Sequence, residues 1–157
     1  MFERLLPRLV DNTYRGHKLA LWLFAPVVIM KIAMGLNAIF NGHLVASSAD
    51  GIPLDTFTDA GARTVVALFA IWGLAQLVIC SLCVLALVRY RSAISFMFAL
   101  LLLEFLSRKV IFYFLPLART ELPVGVIVNL ILLAMMIVGL ALALWNKGTL
   151  EERGGRT

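Results

Sequence analysis

The 157-residue chain is 62% hydrophobic and only 15% charged, with a formal net charge of +5 and a mean hydropathy of +0.96. A water-soluble domain of this length needs far more polar surface, so the composition excludes an ordinary soluble fold. Nothing resembles a nucleic-acid-binding module, and the positive balance reads as membrane topology rather than a DNA or RNA surface.

A membrane-crossing helix needs about 20 mostly apolar residues. Four segments meet that description: 19–40, 64–88, 92–115 and 124–145. The expected fold is all-α, a polytopic membrane protein. Residues 1–157 form a single membrane domain, a four-transmembrane-helix bundle preceded by a short N-terminal interfacial helix. That helix falls within MFERLLPRLVDNTYRGHK (1–18), where Phe2, Leu5, Leu6 and Leu9 recur at helical spacing among Glu3, Arg4 and Arg8. Its simplest role is anchoring in the membrane interface; docking of a partner is the alternative.

Span one contains Pro26 and Lys31. Its apolar run exceeds the roughly 7–15 residues of a signal-peptide core, so it is expected to stay uncleaved. Gly35, Ala38 and Gly42 lie near the face of Lys31 and invite the close approach of another helix. In the long loop that follows, Asp50-Gly51 signals a turn, and Thr56 with Asp59 resembles a helix start. Span two is therefore expected to begin ahead of the membrane, beneath a short flap. It ends at RYRS, which predicts a tight hairpin with span three. Pro116 and Pro123 bracket the turn before span four. Span four carries Asn129 as its one polar interruption, a Gly139/Ala143 small-residue pair and an interfacial Trp145. Residues 146–157 read as a polar cytoplasmic tail.

Lysine and arginine set the expected orientation. Arg4, Arg8, Arg15 and Lys18 precede span one, Arg89 and Arg91 join spans two and three, and Lys147, Arg153 and Arg156 follow span four. The remaining two loops hold only Arg63 and Arg119. Both termini are thus expected in the cytoplasm of a multi-pass protein of a bacterial-type inner membrane.

The residues that call for explanation are ionisable groups inside the apolar runs. At about 1.5 Å rise per residue, Lys31 and Glu104 each lie about 18 Å from the cytoplasmic end of their spans, and Gln76 about 18 Å from the outer end of its own. All three fall near the middle of a core about 30 Å thick. Arg108 and Asn129 fall in the outer half, and Asn37 lies closer to the outer surface. Glu104 and Arg108 are four residues apart and share a helix face; Lys109 points away from it. Glu104 is expected to face the interior and to be partly neutralised by Lys31 and Arg108. Such a cluster is either a clamp that fixes helix register or a ligand, ion or proton site. Trp72, with Phe69, shares the face of Gln76, which suits contact with a flat apolar ligand as well as plain helix packing.

Other motifs carry less. Cys80 and Cys83 form a CxxC pattern, but it lies within a helix among Leu, Val and Ile, with no second cysteine pair to pass electrons on. His17 and His43 stand about one membrane thickness apart and cannot share a haem, so no haem is expected. No metal site and no catalytic residue is assigned.

Lys31-x-x-x-Gly35, the loop Gly51-Ile52-Pro53, WGLAQL (72–77) and Arg89 together resemble the DoxX-like group of small four-helix bacterial membrane proteins over about residues 19–115. That group commonly has Arg where Lys31 stands. The resemblance implies a compact four-helix bundle and an accessory role in membrane redox. It transfers no catalytic residue.

The expected function is a ligand-binding or accessory membrane protein with an interior polar site around Lys31, Gln76, Glu104, Arg108 and Asn129, with Lys109, Trp72 and Asn37 at its margin. A bound lipid or quinone is the expected ligand. The expected partners are the bilayer, a second copy in a homodimer, or another membrane subunit. A small proton-coupled transporter using Glu104 and a quinone-linked thiol oxidoreductase using Cys80 and Cys83 are the alternatives.

Overall fold

The computed structural model describes residues 11, 12, 14, 16–116 and 124–145. Four long helices make up most of it: α1 (Lys18–Phe40), α2 (Asp59–Val88), α3 (Ile94–Phe114) and α4 (Val124–Leu144), and the described residues contain no strand. Helices α1, α2 and α4 are long and apolar enough to cross a membrane. Helix α3 has 21 residues, but Glu104, Arg108 and Lys109 fall inside it and it is less apolar than the other three. Hydropathy alone therefore supports three crossings rather than the four expected. Of the expected interfacial segment, 1–18, residues 1–10, 13 and 15 lie outside the described residues, as does the whole of the expected tail, 146–157.

Local chemistry sets the helix ends. The His17 Nδ1 accepts the Leu19 N–H at 3.2 Å and caps α1, which runs unbroken through Pro26. The cap of α2 is Thr58, whose Oγ1 accepts the Gly61 N–H at 3.2 Å, with Asp59 in the first turn facing the positive end of the helix dipole. The sequence pattern pointed to Thr56 instead. The Thr56 hydroxyl donates to the Pro53 carbonyl at 2.7 Å within a 3-10 turn, Leu54–Thr56, that ends before α2 begins. Helix α2 does start ahead of position 64, at Asp59.

Between α1 and α2 the chain makes a short helical turn, Gly42–Leu44, a π-helical turn, Val45–Ala49, and a reversal at Gly51. Gly51 has φ 71°, a conformation that favours glycine. Ala46, Ile52 and Leu54 are buried there against Val65, Val66 and Phe69 of α2. The segment is a cap folded over one end of the bundle. The Ala49 carbonyl lies so close to Gly125 of α4 that a Cβ there would stand 2.5 Å from its oxygen.

At the opposite end, Ser92 exchanges hydrogen bonds with the Asp11 backbone at 2.8 and 3.0 Å, and the His17 N–H donates to the Leu142 carbonyl at 3.2 Å. Tyr14 lies in the same place. Its hydroxyl is buried without a partner among the described residues, and burial pushes its phenol up to about 12. The segment leading into α1, the α2–α3 turn and the end of α4 therefore share one end of the bundle. The cap and the start of α4 share the other.

Packing is uneven around the bundle. Helix α1 lies along α2 most extensively, α4 covers α1 and α3, and α2 touches α3 only thinly. The short turn between α2 and α3 does not make the tight hairpin expected from it. Tightness lies instead at the α1–α2 crossing, where Gly35 and Gly73 meet: a Cβ on Gly73 would stand 2.6 Å from the Gly35 carbonyl oxygen and 3.0 Å from the Ala38 Cβ. The apolar core fills the bundle on the Tyr14 side of its middle. Phe24 of α1 meets Phe98 of α3 edge to face at 4.9 Å, and Gly139 of α4 gives the Phe98 ring its room. The outer girdle is apolar: Trp22, Ile29, Val88, Leu103 and Tyr113 are all more than 60% exposed. Continuous apolar surface on this scale suits lipid, not water.

Candidate functional site: a polar centre beside a cleft

Midway along α1, Lys31 is buried to 4% exposure. Its ammonium donates to Glu104 Oε2 of α3 at 2.7 Å and to Gln76 Oε1 of α2 at 3.3 Å. The Gln76 amide in turn reaches the Cys80 sulfur, one turn along α2, at 3.6 Å. Three helices are thus linked by one continuous polar chain. An isolated charge at a bilayer centre costs about 2.5–3.5 kcal/mol on the insertion scale. The Lys31–Glu104 pair removes much of that cost by mutual neutralisation and by the extra bond to Gln76.

Arg108 is placed differently. It sits one turn beyond Glu104 on α3, and its Nε lies 4.0 Å from Glu104 Oε1, the outer limit of an ion pair and too far for a hydrogen bond. Its guanidinium carbon lies 5.0 Å from the centre of the Trp72 ring of α2 and 5.5 Å from that of the Phe105 ring of α3, and both rings attract the cation. Arg108 therefore closes the thin α2–α3 seam with its hydrogen-bonding capacity unused among the described residues.

A cleft opens on the cap side of the Lys31–Glu104 pair. All four helices line it: Lys31 and Met34 from α1, Trp72 and Gln76 from α2, Phe105 and Arg108 from α3, Asn129 and Leu132 from α4. Its enclosed volume is about 10 Å³, room for about one water molecule, so a larger ligand group has to enter from the open side and displace side chains. Asn129 is partly buried at its wall, and its amide makes no hydrogen bond among the described residues.

The structure brings Lys31, Gln76, Glu104, Arg108, Asn129 and Trp72 together, and leaves two other candidates outside. Asn37 is exposed and accepts a 2.7 Å bond from the Asn41 amide. Lys109 is exposed, with its ammonium 5.6 Å from the Phe105 ring. Met34, Phe105 and Leu132 also line the cleft and were missed in the sequence. Met34 and Leu132 stand three residues beyond Lys31 and Asn129, a spacing that carries the signal. Cys80 and Cys83 are both free and buried. Among the described residues no group of three or more His, Cys, Asp or Glu is placed to hold a metal.

No family model matches the chain, and neither a curated protein nor a solved structure matches it, so the DoxX-like resemblance rests on its own short motifs.

Proposed function

We propose that the chain is a four-span protein of a bacterial-type inner membrane, with both termini cytoplasmic, that binds the polar head of a lipid-like or quinone-like ligand in the cleft beside its central ion pair. It acts as a binding or accessory subunit rather than as an enzyme. One observation supports this reading: a mutually neutralised Lys31–Glu104 pair adjoins a cleft lined from all four helices. A pure register clamp needs the pair but not the cleft. Arg108 and Asn129 face the cleft with unused hydrogen-bonding groups, as a binding site requires and a closed core avoids.

Native mass spectrometry of protein released from mild detergent tests it. The wild type should carry a reproducible bound mass. Asn129→Leu removes the cleft's amide with a side chain of similar shape, leaves the ion pair in place, and should lose that mass while keeping its helix content and elution volume. A wild type that flies bare, or an adduct that survives Asn129→Leu, would sink the proposal.

A further inference from the structure

The charges around the cleft do not balance. Lys31 and Glu104 form a 2.7 Å pair that contributes no net charge, whichever partner holds the proton. Gln76 and Asn129 are neutral. Arg108 stays protonated in any protein environment, so the cleft keeps one positive charge. Among the described residues only Glu104 approaches it, at 4.0 Å and already committed through its other oxygen to Lys31. Lys109, the nearest other ionisable group along α3, is also a cation and lies outside the cleft.

From this imbalance, and building on the headgroup-site reading above, we infer that the ligand is an amphiphile with a single negative charge, its oxyanion held by the Arg108 guanidinium and its acyl chain lying along the apolar exterior at the thin α2–α3 seam. A carboxylate or a phosphodiester fits the planar fork of Arg108 in bidentate fashion. Trp72 and Phe105 hold the guanidinium at the cleft by cation–π attraction, and its N–H groups, without a hydrogen bond among the described residues, are left for the anion. The Asn129 amide supplies a further donor from the α4 wall. A quinone is neutral and would leave the charge of Arg108 unmet.

The test uses full-length protein in phosphatidylcholine nanodiscs, titrated in turn with phosphatidylglycerol, oleate and a ubiquinone, with bound mass and thermal unfolding as readouts. Wild type should bind and be stabilised by phosphatidylglycerol or oleate, and the one preferred tells phosphodiester from carboxylate. Arg108→Gln should weaken that binding about tenfold or more, the usual scale for losing a charged hydrogen-bond partner. Arg108→Lys keeps the charge but loses the fork and should fall between; it carries the comparison if Arg108→Gln fails to fold. Lys109→Gln should bind like wild type. Ubiquinone binding that Arg108→Gln leaves unchanged would overturn the anion inference while preserving the headgroup site. Failure of all three ligands to bind folded wild type would overturn both.

Discussion

At the scale of single residues, the polar centre obeys a charge count that can be tested by removing its members in turn. Glu104→Gln leaves the buried Lys31 and the half-buried Arg108 as cations with no carboxylate near them among the described residues, and breaking a fully buried pair in this way costs about 3–5 kcal/mol, an upper bound here. Lys31→Met leaves Glu104 beside Arg108, 4.0 Å away on the same helix face, so one cation can replace the other. Lys31→Met should therefore be the milder change. The double variant restores the wild-type charge balance and should be more stable than Glu104→Gln alone. Thermal unfolding in detergent reads the order; equal losses for the two single variants, with an additive double, would show that the charges are not coupled. Much of this centre was legible in the sequence, because depth along a helix is arithmetic: the rise per residue put Lys31, Gln76 and Glu104 at one level, and their side chains meet there. Azimuth was not legible. Asn37 lies six residues from Lys31, about 120° away around the helix, and so faces outward.

At the scale of elements, what orients α1 and α2 is their crossing at Gly35 and Gly73. The sequence signalled this from one side only, through the small residues near Lys31; it could not name the partner, because small residues permit close approach without specifying to what. The Gly139/Ala143 pair makes the same point: Gly139 receives the ring of Phe98 rather than a crossing backbone. The hairpin between α2 and α3 misled for a related reason. A short turn fixes adjacency but not contact, and here the tight packing went to α1–α2 and α1–α4. Gly73→Ala places a methyl 2.6 Å from a backbone oxygen that cannot swing aside, whereas a Cβ on Gly35 meets its nearest atoms at 3.1 Å, one of them the flexible Leu77 tip. Gly73→Ala should cost about 1–3 kcal/mol, and Gly35→Ala less. The forced separation of α1 from α2 should also lengthen the 3.3 Å bond from Lys31 to Gln76, weakening ligand retention along with stability.

At the scale of the whole molecule, the question is whether α3 crosses the membrane despite its three ionisable residues. Contacts at the two ends show that α3 runs the length of the bundle, which supports the proposed crossing. Ser92, just before α3, is bonded to Asp11 at the end shared by the start of α1 and the end of α4. Ala49 of the cap meets Gly125 at the start of α4, at the far end. A chain that leaves Ser92 and enters α4 near Ala49 must pass from one end to the other, and 21 helical residues cover about 31 Å, the thickness of a bilayer core. In the proposed crossing the charges are accommodated because Glu104 and Arg108 turn inward, and the long stem of Lys109 can carry its ammonium toward the interface. Single cysteines in a background with Cys80 and Cys83 replaced by serine make this testable. Ser48→Cys on the cap and Ser92→Cys at the α2–α3 turn should react with a membrane-impermeant maleimide from opposite sides of sealed vesicles, with Ser92→Cys on the cytoplasmic side together with a cysteine placed at the C-terminus. Labelling of both loops from one side would mean that α2 does not cross. A C-terminus on the side opposite Ser92→Cys would mean that only one of α3 and α4 crosses, and the three-span reading given by hydropathy alone would replace the bundle proposed here.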